Sequence, residues 1–180
     1  MFGGCAKLKE FDADISKLTT GQYMFVDCTS LEKFDNNLES LEYGYSMFQG
    51  CTSLKHFGSN LSSLTSGTSM FDGCKLDSDS LTIIADTIKD WSSCTDYSGR
   101  HTITIGLGHI ATDKDRELCY EIVDKGWVLE LRYWDAARNC TWGECFANTL
   151  ELTDEHPITV MQPYYAKPVE ATQTTANFVS

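Results

Sequence analysis

Apolar residues recur along the first part of the chain with a period of 23 residues. A Met-Phe pair opens each copy at Met1, Met24, Met47 and Met70, and a cysteine follows three residues after each Phe. Further columns keep the same register through three complete copies: Leu8/Leu31/Leu54, Phe11/Phe34/Phe57, Ile15/Leu38/Leu61, Leu18/Leu41/Leu64 and Gly21/Gly44/Gly67. A fixed period of this kind predicts a solenoid, in which one short unit stacks on the next and all units share a core.

Each copy predicts a short extended segment and a turn. In the first copy the extended segment is residues 8–11. The turn lies around residues 23–25, where the first copy meets the second. We predict a positive φ at two columns, because one holds only glycine and the other glycine or aspartate, which tolerate that region. These columns are Gly21/Gly44/Gly67 and Gly4/Asp27/Gly50/Gly73.

The cysteine column is Cys5, Cys28, Cys51 and Cys74. Zinc ligands come as close pairs rather than at intervals of 23 residues, so this column does not predict a metal site. We instead expect a ladder of buried, reduced thiols that act as small apolar side chains.

Charged residues occupy two columns on the extended segments, Lys9/Glu32/Lys55 and Glu10/Lys33/His56. Stacked parallel segments about 4.8 Å apart would place opposite charges side by side. The columns therefore indicate either cross-repeat pairs that fix the register or a polar binding strip. If a ligand binds the stack, these six residues are the candidate site. Asp12 and Asp35 share another column and indicate either a cation site or a solvated edge.

The period stops after Cys74, and a different pattern follows. We predict a helix over residues 78–91, a strand over 101–108, a helix from Thr112 to about Lys125 with Asp115 completing a capping box, and a strand over 127–134. Gly126 is a candidate C-cap for the second helix. This order predicts that residues 75–134 form longer α/β rungs and a C-terminal cap on repeats 1–74.

Residues 135–180 are less regular. A hairpin is predicted between residues 149–152 and 158–161, and residues 171–180 are expected either to be mobile or to order only against a partner. Tyr164 and Tyr165 either pack on the cap or form a docking segment. Cys140 and Cys145 form a disulfide, remain free thiols, or join Cys94 and Cys119 in a zinc site; no metal is our expectation, because the spacings fit zinc poorly.

Charge and composition exclude several classes of partner. The net charge is −12 with no basic cluster, so we expect no nucleic-acid binding, and no apolar run approaches the ~20 residues of a membrane span. No signal peptide is visible. Met1 opens a repeat, so we expect the chain to begin inside a longer protein with any export signal upstream.

Enzyme motifs are also missing from the sequence. It holds no P-loop, H-E-x-x-H or G-x-S-x-G, and Gly106-x-Gly108 is only a partial dinucleotide pattern because Ala111 stands in place of the third glycine. No local signature surrounds any cysteine or histidine. We therefore predict no catalytic residues, no cofactor and no enzymatic activity.

The pattern M-F-x-x-C-x-x-L-x-x-F with its glycine resembles the BspA-like leucine-rich repeats over residues 1–76. The resemblance implies an α/β leucine-rich-repeat solenoid and an adhesive or protein-binding role, with no shared catalytic residues. The implied function is a protein-binding or adhesion module of a bacterial cell-surface protein, extracellular, with a protein or glycan partner on a host or bacterial surface. The alternative is a structural or receptor-binding component of a phage or prophage tail, located in the virion.

Overall fold

A computed structural model describes residues 1–94, 101–109 and 111–133, together with a short strand at 159–160. The elements are β1 (Lys33–Phe34), β2 (His56–Phe57), α1 (Ser78–Thr87), β3 (Thr102–Leu107), α2 (Asp113–Asp124), β4 (Val128–Tyr133) and β5 (Thr159–Val160). The strands form two parallel sheets in these ranges, one of β1 and β2 and one ordered β3-β4-β5.

The 23-residue copies lie side by side in parallel register. We number them repeat 1 (1–23), repeat 2 (24–46), repeat 3 (47–69) and repeat 4 (from 70). The second residue of a repeat donates its amide hydrogen to the first residue of the next repeat. Phe2 donates to the Met24 carbonyl at 2.8 Å, and Phe25 donates to the Met47 carbonyl at 2.9 Å. Strands β1 and β2 pair with Lys33 opposite His56, which is a shift of one period. The regular strands are only two residues long, so turns and isolated bridges make up most of each repeat.

Two columns of phenylalanine fill the core of the repeats. Phe25, Phe48 and Phe71 stack with ring centroids 5.5 and 5.6 Å apart, and the Phe34 and Phe57 rings meet this column edge-on. All five side chains are buried. Stacked and edge-to-face rings each add roughly 0.5–1.5 kcal/mol to the stabilisation from apolar burial, so the ladder holds neighbouring repeats together.

The prediction of a positive φ at Gly21, Gly44 and Gly67 is wrong. The glycines with positive φ lie elsewhere. A Cβ on Gly21 would stand 2.5 Å from the Sδ of Met47, and a Cβ on Gly44 would stand 2.8 Å from the Sδ of Met70. At Gly21 and Gly44 the space where a side chain would begin is thus filled by a methionine two repeats further along, and at Gly67 a Cβ would stand 3.0 Å from the Cγ1 of Ile103. Packing explains why this column holds glycine.

The second predicted column has the expected conformation. Gly4, Asp27, Gly50 and Gly73 have φ of 73°, 57°, 75° and 79°. A third such column, Tyr23/Ser46/Ser69, was not predicted, and its φ values are 55°, 49° and 55°. A bulky residue rarely adopts this region, so Tyr23 is the unusual member of the column.

The elements predicted after repeat 4 are confirmed, with a shorter first helix. Asp77 caps α1 by accepting from the Ser80 amide at 2.8 Å, and Thr112 and Asp115 form the predicted capping box of α2. Helix α1 ends at Thr87 rather than at Trp91 because the Trp91 amide donates to the Lys125 carbonyl at 2.7 Å. Gly126 follows α2 with φ of 85°, as a C-terminal glycine should.

Helix α1 and strand β3 lie against the end of the repeats. The Phe57 amide, at the open edge of β2, donates to the Ser80 Oγ at 2.8 Å. Strand β3 bridges to repeats 3 and 4, where Gly67 pairs with Ile103 and Leu76 with Leu107. Buried residues run without interruption from repeat 2 through both helices to β4. The repeats and the α/β segment therefore share one core.

Residues 134–158 and 161–180 lie outside the described ranges. The predicted hairpin therefore remains a prediction, as do the disulfide and zinc alternatives for Cys140 and Cys145 and the docking role of Tyr164 and Tyr165. Of this segment the structure describes only β5, which pairs in parallel with β4 so that Thr159 lies opposite Glu130.

Candidate binding surface

The six predicted binding residues lie on the outside of the extended segments of repeats 1–3. We call them the charged strip: Lys9, Glu10, Glu32, Lys33, Lys55 and His56. The first five are exposed and His56 is half-exposed. In repeats 2 and 3, each of these residues is next to a buried leucine or phenylalanine in the chain. The core therefore fixes the backbone of the strip while the charges face outward.

Ion pairs run obliquely along the strip rather than straight along its columns. Lys33 Nζ lies 2.6 Å from Asp35 Oδ2, and His56 Nε2 lies 3.2 Å from Asp35 Oδ1. The other ring nitrogen of His56 lies 3.8 Å from Asp77 Oδ2. Asp35 therefore bridges two repeats. These side chains remain substantially exposed, so each pair contributes only about 0–1 kcal/mol to stability.

Two open grooves divide the strip. One, of about 410 Å³, lies along repeats 1 and 2, and the other, of about 340 Å³, lies along repeats 2–4. The first is lined by Glu10, Phe11, Asp12, Lys33, Asp35 and Asn36, and the second by Glu32, Thr52, Ser53, Lys55 and Lys75. The column of Glu10 and Lys33 therefore borders one groove, and that of Glu32 and Lys55 borders the other.

Asp12 and Asp35 both line the first groove, but Asp35 already accepts from Lys33 and His56. In the part of the chain that the structure describes, no cluster of three histidine, cysteine or acidic residues has the arrangement of a metal site. The geometry of this column is that of a solvated edge with local ion pairs.

A second outward surface carries three tyrosines, and none of the six residues that define it is charged. We call it the tyrosine face: Gln22, Tyr23, Tyr43, Tyr45, Ser66 and Thr68. It lies on a ladder of bridges in which Thr20 pairs with Tyr43 and Tyr43 with Ser66. The rings of Tyr23 and Tyr45 meet edge-on with centroids 5.2 Å apart. Tyr23, Tyr43 and Tyr45 expose 45%, 49% and 37% of their surface.

These tyrosines were not among the binding residues predicted from the sequence. Their columns hold serine, threonine or glutamine in the other repeats, and this contrast was a usable signal. It was missed because the three tyrosines occupy three different columns. Only the geometry of the ladder shows that they converge on one surface.

Ser78, His109 and Asp115 form a Ser-His-Asp group at the starts of the two helices. His109 Nε2 lies 3.2 Å from Ser78 Oγ and 3.0 Å from Asp115 Oδ2. A catalytic triad needs the carboxylate and the hydroxyl on opposite ring nitrogens, whereas here both contact Nε2. Burial raises the pKa of Asp115, but hydrogen bonds from Thr112, Ser78 and His109 outweigh it and lower that pKa. The group ties the starts of α1 and α2 together.

The cysteine ladder is confirmed at three of its four positions. Cys28, Cys51 and Cys74 are buried thiols outside any disulfide, whereas Cys5 is exposed because repeat 1 is packed on one side only. Each buried Sγ also lies within hydrogen-bond distance of a carbonyl in the preceding repeat, as from Cys51 to Phe25 O at 3.1 Å. Burial raises the pKa of Cys51 to about 12, so this thiol is a poor nucleophile.

The glycine pair at the end of β3 is explained by packing. A Cβ on Gly106 would stand 2.6 Å from the Cys74 carbonyl oxygen, and a Cβ on Gly108 would stand 2.7 Å from that of Lys75. Both glycines allow β3 to lie directly against the backbone of repeat 4. Within the described ranges, neither α1 nor α2 has the length and hydropathy of a membrane-spanning helix.

Comparison with known proteins assigns the repeats to a family. The family described as BspA type leucine rich repeat region (6 copies) matches residues 1–95, slightly more than half of the 180 residues. A search of curated proteins and a search of solved structures each found no match. The family is consistent with a protein-binding or adhesion repeat module, and its repeats are generally non-enzymatic. With its 23-residue period, its stacked parallel repeats and this match, the chain belongs to the BspA-type leucine-rich-repeat family.

Proposed function

We propose that the chain is a non-enzymatic binding module of a bacterial cell-surface protein, and that the charged strip contacts a protein or glycan on a host or bacterial surface. The supporting observation is that neighbouring repeats present exposed charges from a backbone fixed by the shared core. A pre-organised row of charges loses little conformational freedom on binding. The protein would act outside the cell, as members of this family typically do.

Charge reversal on the strip tests the proposal. The variant Lys33→Glu with Lys55→Glu should abolish binding of the labelled protein to intact bacterial and host cells. It should still fold, because the Lys33–Asp35 pair is exposed and contributes only about 0–1 kcal/mol. The matched control is Lys17→Glu with Lys114→Glu, which changes the net charge equally at exposed positions away from the strip.

The outcomes separate the site from the function. Unchanged binding by the strip variant, or equal loss in the control, contradicts the assignment of the charged strip. Failure of the unaltered protein to bind either kind of cell contradicts the adhesive function as a whole.

A second candidate is a structural or receptor-binding component of a phage or prophage tail, located in the virion. The continuous phenylalanine ladder favours it, because a stack of repeats joined by buried rings suits a rigid spacer. Light scattering discriminates between the candidates. A stable trimer favours the tail component, and a monomer favours the surface module.

We also propose that residues 1–74 form a leucine-rich-repeat solenoid, that residues 75–134 are its α/β C-terminal cap, and that residues 135–180 are a separate tail segment. Contacts at the end of the repeats support the cap. Ser80 of α1 accepts the edge amide of Phe57, and Arg132 of β4 pairs with the buried Asp72 of repeat 4. A cap has this role in a solenoid because the last repeat otherwise exposes its core and its backbone edge.

A further inference from the structure

The fold does not require tyrosine at any position of the tyrosine face. The column of Tyr43 holds Thr20 and Ser66, and the column of Tyr45 holds Gln22 and Thr68. Thr20 and Ser66 pair with Tyr43 in the ladder of bridges, and the Thr68 carbonyl accepts from the Ser46 amide as the Tyr45 carbonyl accepts from the Tyr23 amide. The three tyrosines also leave more than a third of their surface exposed, so they add little to the core. Their presence together needs a reason other than folding.

The backbone at Tyr23 gives an independent indication. Its φ of 55° lies in the left-handed region, where the equivalent residues are Ser46 and Ser69. A non-glycine residue in this region is strained by roughly 1–3 kcal/mol, and such strain concentrates at functional sites. Tyr23 is therefore held in an unfavourable conformation, with its ring placed against Tyr45.

The chemistry of the face indicates an uncharged ligand. The chain has a net charge of −12, yet none of the six residues is ionised at neutral pH. A charged group bound here would lose hydration without gaining a counter-charge, which is costly. The backbone of the ladder is already paired, since the Gly21 amide donates to Tyr43 O at 2.8 Å and the Gly44 amide to Ser66 O at 2.8 Å. The six residues of the face therefore offer a ligand rings, hydroxyls and one amide.

The size of the face favours a small ligand. Three repeats about 4.8 Å apart, each contributing about three residues at roughly 3.3 Å, span an area on the order of 100 Å². A stable protein interface needs about 800 Å² on each partner. The face alone is too small for a protein, whereas two or three sugar units would cover it.

We propose that the tyrosine face binds a neutral carbohydrate chain. The apolar C–H faces of the sugar rings pack on the exposed rings of Tyr23, Tyr43 and Tyr45, which removes apolar surface from water. Sugar hydroxyls exchange hydrogen bonds with Ser66 and Thr68, because each hydroxyl both donates and accepts. This site goes beyond the proposed cell-binding role of the charged strip and occupies a different ladder of the repeats.

Affinity electrophoresis of the full chain tests the proposal. The probes are neutral polysaccharides (laminarin, yeast mannan, arabinoxylan and galactomannan), with heparin as the acidic comparison. At least one neutral polymer should retard the protein, equally at low and high salt because no ion pair contributes. The variant Tyr23→Ser with Tyr45→Thr carries residues that other repeats hold in these columns. It should bind an oligosaccharide of the retarding polymer at least about tenfold more weakly, which is 1.4 kcal/mol.

Two controls keep the result interpretable. Glu39→Ser, an exposed change away from the tyrosine face, should leave the retardation unchanged. Tyr23→Ser alone should keep or raise the melting temperature, because serine already occupies this conformation at Ser46 and Ser69. A marked loss of stability would show that the Tyr23 ring is a structural element and would overturn the proposal.

Several other outcomes contradict a neutral carbohydrate site. They are no retardation by any neutral polymer, retardation by heparin alone, and undiminished binding by the double tyrosine variant. Loss of cell binding in this variant, without polysaccharide binding by the unaltered protein, would identify a protein partner instead. The charged strip is judged separately by the Lys33 and Lys55 variant, so either surface can fail alone.

Discussion

Gly44→Ala separates two explanations for the glycine column. The added Cβ would lie 2.8 Å from the Sδ of Met70, 3.2 Å from its Cε and 3.5 Å from the Cδ1 of Leu64. The φ of Gly44 is not positive, so alanine is compatible with the backbone. In open space this change would stabilise the protein by about 0.4–1 kcal/mol through the unfolded chain. Here we expect destabilisation instead, because overpacking a core costs about 1–3 kcal/mol.

The magnitude follows from which atoms must move. Methionine has three rotatable bonds and adapts better than a branched side chain, so Met70 can yield part of the space. Its side chain is nevertheless fully buried, which limits where the thioether can move. Balancing the overpacking cost against the gain in the unfolded chain, we expect a net loss of about 1–2 kcal/mol in the free energy of unfolding.

A double-mutant cycle with Met70→Ala identifies the cause. Met70→Ala should cost about 2–5 kcal/mol by itself, because it leaves a cavity. In that background the Cβ of Ala at position 44 fills vacant space, so Gly44→Ala should become neutral or stabilising. The coupling energy should be about 1–3 kcal/mol.

Urea unfolding followed by circular dichroism measures each corner of the cycle. Gly50→Ala is the control, because Gly50 has φ of 75° and its cost arises in its own backbone and beside Asp27. Its cost should therefore be the same with and without Met70. An equal cost for Gly44→Ala in both backgrounds would refute the packing explanation and return the column to a conformational role.

Two further predictions concern the thiol ladder and the end of the repeats. In the folded protein a thiol reagent should modify exposed Cys5 rapidly and Cys51 only after unfolding. Burial raises the pKa of Cys51 from 9.0 to about 12, so the contribution of this thiol to stability is complete below pH 9 and falls by on the order of 1.4 kcal/mol per pH unit above pH 9. Cys51→Ala should therefore flatten the loss of stability at alkaline pH. An unchanged slope would contradict the burial of this thiol. Ser80→Ala should cost about 1–3 kcal/mol in urea unfolding because the buried amide of Phe57 loses its acceptor, whereas exposed Ser62→Ala should stay within about 0.5 kcal/mol. Equal effects of the two serine changes would contradict the capping contact.

The periodic pattern predicted the repeats well because it depends on burial alone. Leu31, Phe34 and Leu38 each fall in a column that the core requires, and all are buried. The second helix after repeat 4 was equally readable from its capping box of Thr112 and Asp115, since these side chains act within a few residues of sequence. Local signals of this kind survive in a single sequence.

Contacts between repeats were much harder to predict. The role of Gly44 depends on the rotamer of Met70, which is 26 residues away, and residue type alone does not give it. Asp35 was expected to face Asp12 in its column, yet its carboxylate turns to Lys33 and His56. The tyrosine face was likewise invisible, because its residues converge only when the register of the turns is known.

The two ends of the repeat stack differ in a way that gives unfolding a direction. At the far end, α1 and β3 satisfy the backbone edge and share the core, whereas in repeat 1 the side chains of Phe2, Leu8 and Phe11 are only partly buried. In a linear array each unit is stabilised mainly by its neighbours, so the unit with a single neighbour opens first. In the 180-residue chain by itself, opening should therefore begin at repeat 1 and advance one period at a time toward α1. A pulling force applied to repeat 1 would separate the repeats one after another. The same force applied at α1 would act on the whole shared core at once.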